Sequence, residues 1–386
     1  MDIPSLIVGA ILGVIAPELY KTIKKFFSNR RRYRKAVKNL DHIGYTPESG
    51  FRHFDHAIPK YEKHNLKTEL SDDLLIIPVP EKYKSFFEEN DFVIRKKNVS
   101  TWSNRLNKTF KHLNVNNYQS LLTECAEEVA KKIKLDIESG LQRFNGEMLG
   151  VKKIQLQRIG EDENSALKLL FYKSDFFTYR VFAKAYEKLK NNFIIDEKDG
   201  VPDLNNYYTP FLSSFGIANF LIVDDGEEDR ILFGYRSNNV EVDKNKIHFS
   251  MNEAFSLKDM DNREKHNKLS LHKCLERGLT EELGISADIQ ETNLKDSGFM
   301  SLAMDLNRFE IGLSSYSRLS LDENYTLNDL KRGYQSAQDG VLETQKINLV
   351  RISELESFLR KNKSEMSVSA RNVINTFLAR YKNGYL

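Results

Sequence analysis

The chain has 386 residues, 40% of them hydrophobic and 29% charged, which excludes a disordered, collagenous or multi-span membrane protein. Two cysteines, Cys125 and Cys274, exclude a disulfide framework and lack metal-ligand spacing, so the bulk of the chain reads as cytosolic. The net charge of +3 is uneven: residues 1–20 carry only Asp2 and Glu18, residues 21–40 carry nine Lys or Arg and no acid, and the other 346 sum to −4. A folded portion that is itself slightly acidic argues against binding a nucleic-acid polymer.

Residues 1–20 read as a transmembrane anchor. From Ile3 to Tyr20 the only ionisable residue is Glu18, and Pro4 sits where a first helical turn tolerates it. Eighteen residues rise roughly 27 Å, slightly short of a ~30 Å hydrocarbon core. The basic residues of 21–40 then form a juxtamembrane segment drawn to anionic lipid, which places the amino terminus outside and the chain's bulk in the cytoplasm. A signal peptide needs its basic residues before the apolar run, and here they follow it; an interfacial or core helix is the other alternative. Gly9 and Gly13 form a small-xxx-small pair that lets two such helices approach closely.

Residues 41–145 read as a connector with accessory elements. His53, Asp55, His56 and His64 in this stretch are taken as plain polar surface rather than a metal site. The one regular signal is an amphipathic packing helix from Tyr118 to about Gln142. From residue 146 onward the pattern is α+β. Strands are expected at 151–158 and 167–172, a helix at 176–189, a Gly/Pro/Asn loop at 200–206, and a hairpin of 217–223 and 230–236 around Asp224-Asp-Gly226. There follow a short strand at 246–250, a helix from the N-cap Ser270 to the stop Gly284, strands at 297–304, 308–318 and 345–350, and a final helix over 367–381. No GxxxxGK[ST], GxSxG or HExxH motif occurs.

The chemically informative string is Arg277-Gly-Leu-Thr-Glu-Glu-Leu-Gly-Ile285. It resembles the second half of the Nudix box, R-E-U-x-E-E-x-G-U with U aliphatic, and about the last 180 residues follow that family's element order. The resemblance implies a Nudix-like mixed-sheet sandwich with helices on its faces. Glutamates at i, i+3 and i+4 share one helix face and can hold the divalent cations that bridge a diphosphate. Glu281 and Glu282 keep two of those places, but the third is Gly278, and Glu276 lies about 200° around the helix from where it is needed. Leu269 stands at the box's earlier Glu position, and Met251-Asn252-Glu253 replaces the Gly-Gly strand exit. The bland reading is that Glu281 and Glu282 are a solvated helix face whose other side, Leu271, Leu275, Leu279 and Leu283, is buried.

An anchor joined to a domain with this degenerate box resembles the bacterial CBASS TM-NUDIX effectors of anti-phage defence. That resemblance implies a non-enzymatic sensor without cofactor. A cyclic oligonucleotide would bind through Arg236, Glu253, Arg277 and Glu282, and the protein would then oligomerise, with the loop from Glu253 to Leu269 as a candidate contact, and disrupt the bacterial inner membrane. The alternative is a membrane-tethered Mg-dependent Nudix hydrolase of nucleoside diphosphate derivatives. It would use Glu281 and Glu282 as catalytic and metal-binding residues, with an acid such as Glu343 or Asp339 completing the Mg site. Both readings require the helix from Ser270 to Gly284 to face a cavity.

Overall fold

The computed structural model describes residues 48–54, 61, 65–95, 102–159, 164–196, 200–238, 240, 243–261, 268–337, 344–382, 384 and 386. The expected anchor, with Ile3, Gly9, Gly13 and Tyr20, lies outside these residues, as do Asp339 and Glu343. Among the described residues no helix is long and apolar enough to cross a membrane. Residues 47–377 form one compact unit, and the site described below lies within it.

The chain is α+β, with two main sheets. In chain order the first elements are β1 (Phe51–His53), β2 (Leu66–Leu74), α1 (Glu81–Glu89), α2 (Ser103–His112), α3 (Tyr118–Glu138), β3 (Glu147–Ile159), β4 (Asn164–Asp175) and α4 (Phe176–Leu189). Strands β2, β4 and β3 make a three-stranded sheet, parallel between β2 and β4 and antiparallel between β4 and β3. Asn117 starts α3 by accepting from the Ser120 N–H, and Asp175 starts α4 by accepting from Thr178, the side-chain caps that orphan amides at a helix start require. The fully buried Trp102, Phe87, Phe110, Phe177 and Phe182 form much of the surrounding core, each worth about 1.5–3 kcal/mol of apolar burial.

The second part comprises β5 (Phe215–Asp224), β6 (Asp229–Arg236), β7 (Ile247–His248), β8 (Met251–Ala254), β9 (Met260–Asp261), β10 (Lys268–Leu269) and α5 (Leu271–Glu281). It continues with α6 (Ala287–Asn293), β11 (Leu294–Asp305), β12 (Glu310–Ser320), α7 (Leu327–Ser336), β13 (Thr344–Arg351), α8 (Leu355–Lys361) and α9 (Val368–Lys382). The eight-stranded sheet runs β1-β11-β12-β5-β6-β13, with β12 and β5 parallel. The expected hairpin is present, but β5 and β6 pair only near their turn, over Ile222–Asp224 and Asp229–Ile231. Beyond that point they part; β8 takes the freed edge of β5 and β7 pairs with β6. This split opens one end of the sheet.

Two stretches depart from expectation. The described residues of 48–118 are not irregular: β1 joins the large sheet beside β11, β2 joins the small one, and α1 and α2 follow β2 in the chain. The strand LKTELSDDL of β2 has no clean alternation, because its pairing with β4 rather than its own pattern makes it a strand. The expected loop at 200–206 is instead a run of helical turns, Val201–Asp203, Leu204–Tyr208 and Thr209–Phe211. Asn205 holds it in place, its amide accepting from the Ile154 N–H and donating to the Ile154 carbonyl, both at 2.8 Å, as a neighbouring strand would.

Candidate functional site

Helix α5 forms as the sequence implies. Ser270 accepts from the Lys273 N–H at 3.3 Å, Leu271, Cys274, Leu275 and Leu279 are buried, and Gly284 adopts φ +66° past the helix end. Its polar residues, however, do not open onto a cavity. Arg277 makes a two-pronged contact with Asp259, Nε to Oδ1 at 2.8 Å and Nη2 to Oδ2 at 3.0 Å. The same guanidinium reaches Glu253 at 2.7 Å, Glu281 at 3.1 Å and the Ala254 carbonyl at 2.8 Å. Glu282 accepts from the Asn252 N–H at 3.0 and 3.2 Å, tying the helix to the start of β8.

The third box position is filled. A Cβ on Gly278 would lie 2.4 Å from Met251 Sδ and 3.0 Å from Glu253 Cβ. Met251 of β8 thus packs into the space left by the missing side chain at position 278. These residues do not fit a divalent cation: Glu281 and Glu253 are held by a guanidinium, Glu282 by a backbone amide, and the remaining place by a thioether. Among the described residues no cluster of His, Cys, Asp or Glu is arranged to hold a metal ion.

Burial, partly opposed by Arg277, pushes the Glu253 carboxyl up to about 7. Burial works against the charge of Arg277, but Asp259 and Glu253 outweigh it and hold the guanidinium protonated. Glu253 therefore binds a proton in the folded state between its ordinary 4.5 and about 7, where the unfolded chain does not. Stability from this group is present below pH 4.5 and is lost as pH rises through about 7, by up to about 3 kcal/mol. Urea unfolding at pH 5 and pH 8 is expected to show that loss in the wild type and not in Glu253→Gln; equal slopes in the two proteins would refute it.

The cavity lies elsewhere, where β5 and β6 part. A cleft of about 820 Å³ runs along the split end of the sheet. One wall comes from residues 140–148 and the start of α4, bringing Arg143, Phe144, Phe176, Tyr179 and Arg180. Phe144 is 64% exposed, an unspent aromatic face. A second wall, joined to the first where Tyr179 donates to Glu310, comes from the ends of β6 and β7, the β11–β12 turn and α9, bringing Arg236, His248, Arg308, Ser369 and Asn372. Asn252 and Glu253 of β8 complete the lining.

The charges of the second wall are largely matched. Arg308 lies 2.9 Å from Asp305, 3.4 Å from Glu310 and 3.9 Å from Asp243, and these carboxylates outweigh burial in keeping it charged. Tyr179 donates to Glu310, and burial together with that carboxylate raises its phenol well above the ordinary range. Burial, reinforced by Arg236 and Arg308, keeps His248 neutral; its Nε2 lies 3.5 Å from Ser369 Oγ. The cleft thus offers fixed cations, aromatic faces and uncharged hydrogen-bonding groups, the mixture a nucleotide requires.

Of the residues singled out in the sequence, Arg236 and Glu253 line this cleft, whereas Arg277, Glu281 and Glu282 do not. The expectation that the helix from Ser270 to Gly284 faces the cavity is thereby corrected: Glu281 is paired with Arg277, Glu276 with Lys273, and Glu282 is bound to the Asn252 amide. Glu253 and its neighbours Asn252 and Ala254 belong to both places. His53, taken as polar surface, is buried and its Nε2 lies 3.0 Å from Asn372 Oδ1. The lining residues on α4 and α9 carry no motif, and their helices read only as packing elements.

No protein-family model matches this sequence, and no curated protein does. Among solved structures it is similar to the NUDIX domain of Shewanella oneidensis NrtR in complex with ADP ribose, at 9% identity over 43% of this chain and 87% of that one, with a TM-score of 0.26. It is also similar to a Nudix hydrolase of M. smegmatis, RenU, at 8% identity over 37% and 73%, TM-score 0.22. A bifunctional NMN adenylyltransferase/ADP ribose pyrophosphatase of Francisella tularensis aligns at 10% identity over 81% and 98%, TM-score 0.28. At these values the likenesses assign no residue and no activity.

Proposed function

We propose that this chain binds a phosphate-bearing nucleotide in the cleft without hydrolysing it. The observation that carries this reading is the separation of the two places. The large cleft is lined by arginines and aromatic rings, while the carboxylates that would hold catalytic Mg²⁺ are bound to Arg277 and to the Asn252 amide. Taken with the Ile3–Tyr20 segment and the basic run after it, the finer proposal is a membrane-anchored sensor of the CBASS TM-NUDIX type whose ligand site is the cleft and not, as the sequence reading required, a cavity on the helix from Ser270 to Gly284. A cyclic oligonucleotide would occupy the cleft, and assembly of the cytoplasmic domains would concentrate the anchors in the bacterial inner membrane. Ligand can drive such assembly only by binding the assembled form more tightly than the single chain.

The test is a thermal-shift and turnover screen of the full chain with cyclic di- and trinucleotides and nucleoside diphosphate derivatives, with Mg²⁺ present. A ligand at a hundredfold excess over its Kd should stabilise the fold by about 2.7 kcal/mol, with no turnover of any compound. Robust turnover abolished by Glu282→Gln would overturn the sensor in favour of the hydrolase. Deleting residues 1–20 should leave ligand binding intact and abolish membrane association and toxicity.

A further inference from the structure

Among the described residues every phenylalanine, tyrosine and tryptophan but one is buried or half-buried, and the exception is Phe144, 64% exposed. It lines the cleft. Its neighbours fix its place. Asn145 donates to the Val93 carbonyl at 2.8 Å and to Asp175 at 2.9 Å, and accepts from the Phe177 N–H at 2.8 Å. The Gly146 carbonyl accepts from the Phe176 N–H at 3.0 Å, and on the other side Arg143 donates to Asp136 at 2.9 Å. The backbone that carries the ring is therefore held before any ligand arrives, which lowers the cost of ordering it on binding. Other rings of the lining are already spent: Phe176 meets Tyr179, His248 meets Phe249, and Phe215 meets Phe171 and Phe255. Phe144 has no such ring or cation partner among the described residues. Part of the cleft floor is low, with Gly216 paired to Gly312 and Ala218 to Ser314 across β5 and β12. A Cβ on Gly216 would meet nothing closer than the Glu253 carbonyl oxygen at 3.4 Å. The volume of about 820 Å³ lies within the range of small-molecule sites. A partner protein would call for a contiguous apolar patch, whereas Phe144 stands in a concave surface between an ion-paired arginine and a hydrogen-bonded asparagine.

Building on the nucleotide reading above, we infer that Phe144 is the base-stacking residue of the cleft: one face of a nucleobase lies against its ring. Such stacking needs no particular hydrogen-bond pattern, because every base has a π-face. Phe144 thus supplies affinity for the presence of a base and little discrimination among bases.

The experiment titrates the full chain with the tightest-binding compound of the nucleotide screen and with ribose 5-phosphate, which has no base. Phe144→Ala should weaken the nucleotide about five- to a hundredfold, the range of one base–aromatic stack, and leave ribose 5-phosphate unchanged. Phe144→Leu keeps an apolar side chain without a ring and should lose most of the same affinity. Binding at the wild-type level by that variant would mean that apolar contact suffices and would overturn the inference. Phe144→Trp should bind at least as tightly as the wild type. The chain has one native tryptophan, the fully buried Trp102, so the new indole reports on the cleft: the nucleotide should quench its emission and ribose 5-phosphate should not. Because position 144 is exposed, all three variants should unfold at the wild-type urea concentration. If Phe144→Ala binds the nucleotide as tightly as the wild type, the inference alone is overturned; a shift in its oligomeric state by light scattering would then assign the ring to a protein contact. A wild type that binds no compound of the screen overturns the nucleotide reading as well.

Discussion

Replacing Arg277 with methionine is expected to cost about 3–5 kcal/mol of stability, the usual consequence of removing one partner from a buried ionic cluster. Asp259, whose side chain is 1% exposed, would lose both prongs of its guanidinium contact while keeping the Ser256 N–H at 2.9 Å. Glu253 would lose the cation that now opposes its burial, and Glu281 its nearest partner. Arg277→Lys keeps the charge but not the fork, so it should fall between the two. Urea denaturation measures both, and the loss in Arg277→Met should shrink at pH 5, where the stranded carboxylates can take up protons. A loss below about 1 kcal/mol would mean that the cluster does not hold α5 to the exit of β8. The double variant Arg277→Met with Asp259→Asn should lose less than the two single losses added together, because each removes the other's reason to be charged.

Gly284→Ala should be at least as damaging. At φ +66° a Cβ would lie 2.0 Å from the Gly333 carbonyl oxygen, which is backbone and cannot swing aside. The end of α5 and helix α7 would have to separate, taking the buried Leu283, Leu330 and Tyr334 with them; the expected loss exceeds about 4 kcal/mol. Gly284→Asn distinguishes the two sources of cost. Asparagine tolerates the left-handed backbone better than alanine, so if collision dominates the two variants should unfold at similar urea concentrations, whereas near-normal stability of the asparagine variant would assign the cost to backbone strain.

The sequence made the second half of the chain legible because its elements announce themselves. The Asp224-Asp-Gly226 turn, the Ser270 cap and the Gly284 stop each satisfy a local backbone requirement, and local requirements can be read locally. The stretch before Tyr118 did not, since β1 is three residues long and becomes a strand only by pairing with residues 303–305. The box string correctly located a helix and its buried leucines. It did not show that Arg277 would draw Glu253, Asp259 and Glu281 onto itself, because Asp259 comes from a capped 3₁₀ turn eighteen residues upstream whose position depends on the fold. Met251 and Gly278 meet across two elements, and a single sequence does not show that one fills the space the other leaves. The cleft was the least legible part, because Tyr179 with Arg180, Arg308 and Asn372 come from three well-separated stretches, each ordinary in its own helix or turn.

The pairing of β1 with the end of β11 also sets an order of events during synthesis. His53 leaves the ribosome some 250 residues before Ala303, its partner across the sheet, a delay of roughly 12–50 s at about 5–20 residues per second. For that interval the edge of the sheet beside β11 does not exist, and residues 51–53 have nowhere to settle. The seam between β1 and β11 is therefore among the last to close, and a chain stalled before residue 303 would leave its earliest strand without a place to dock.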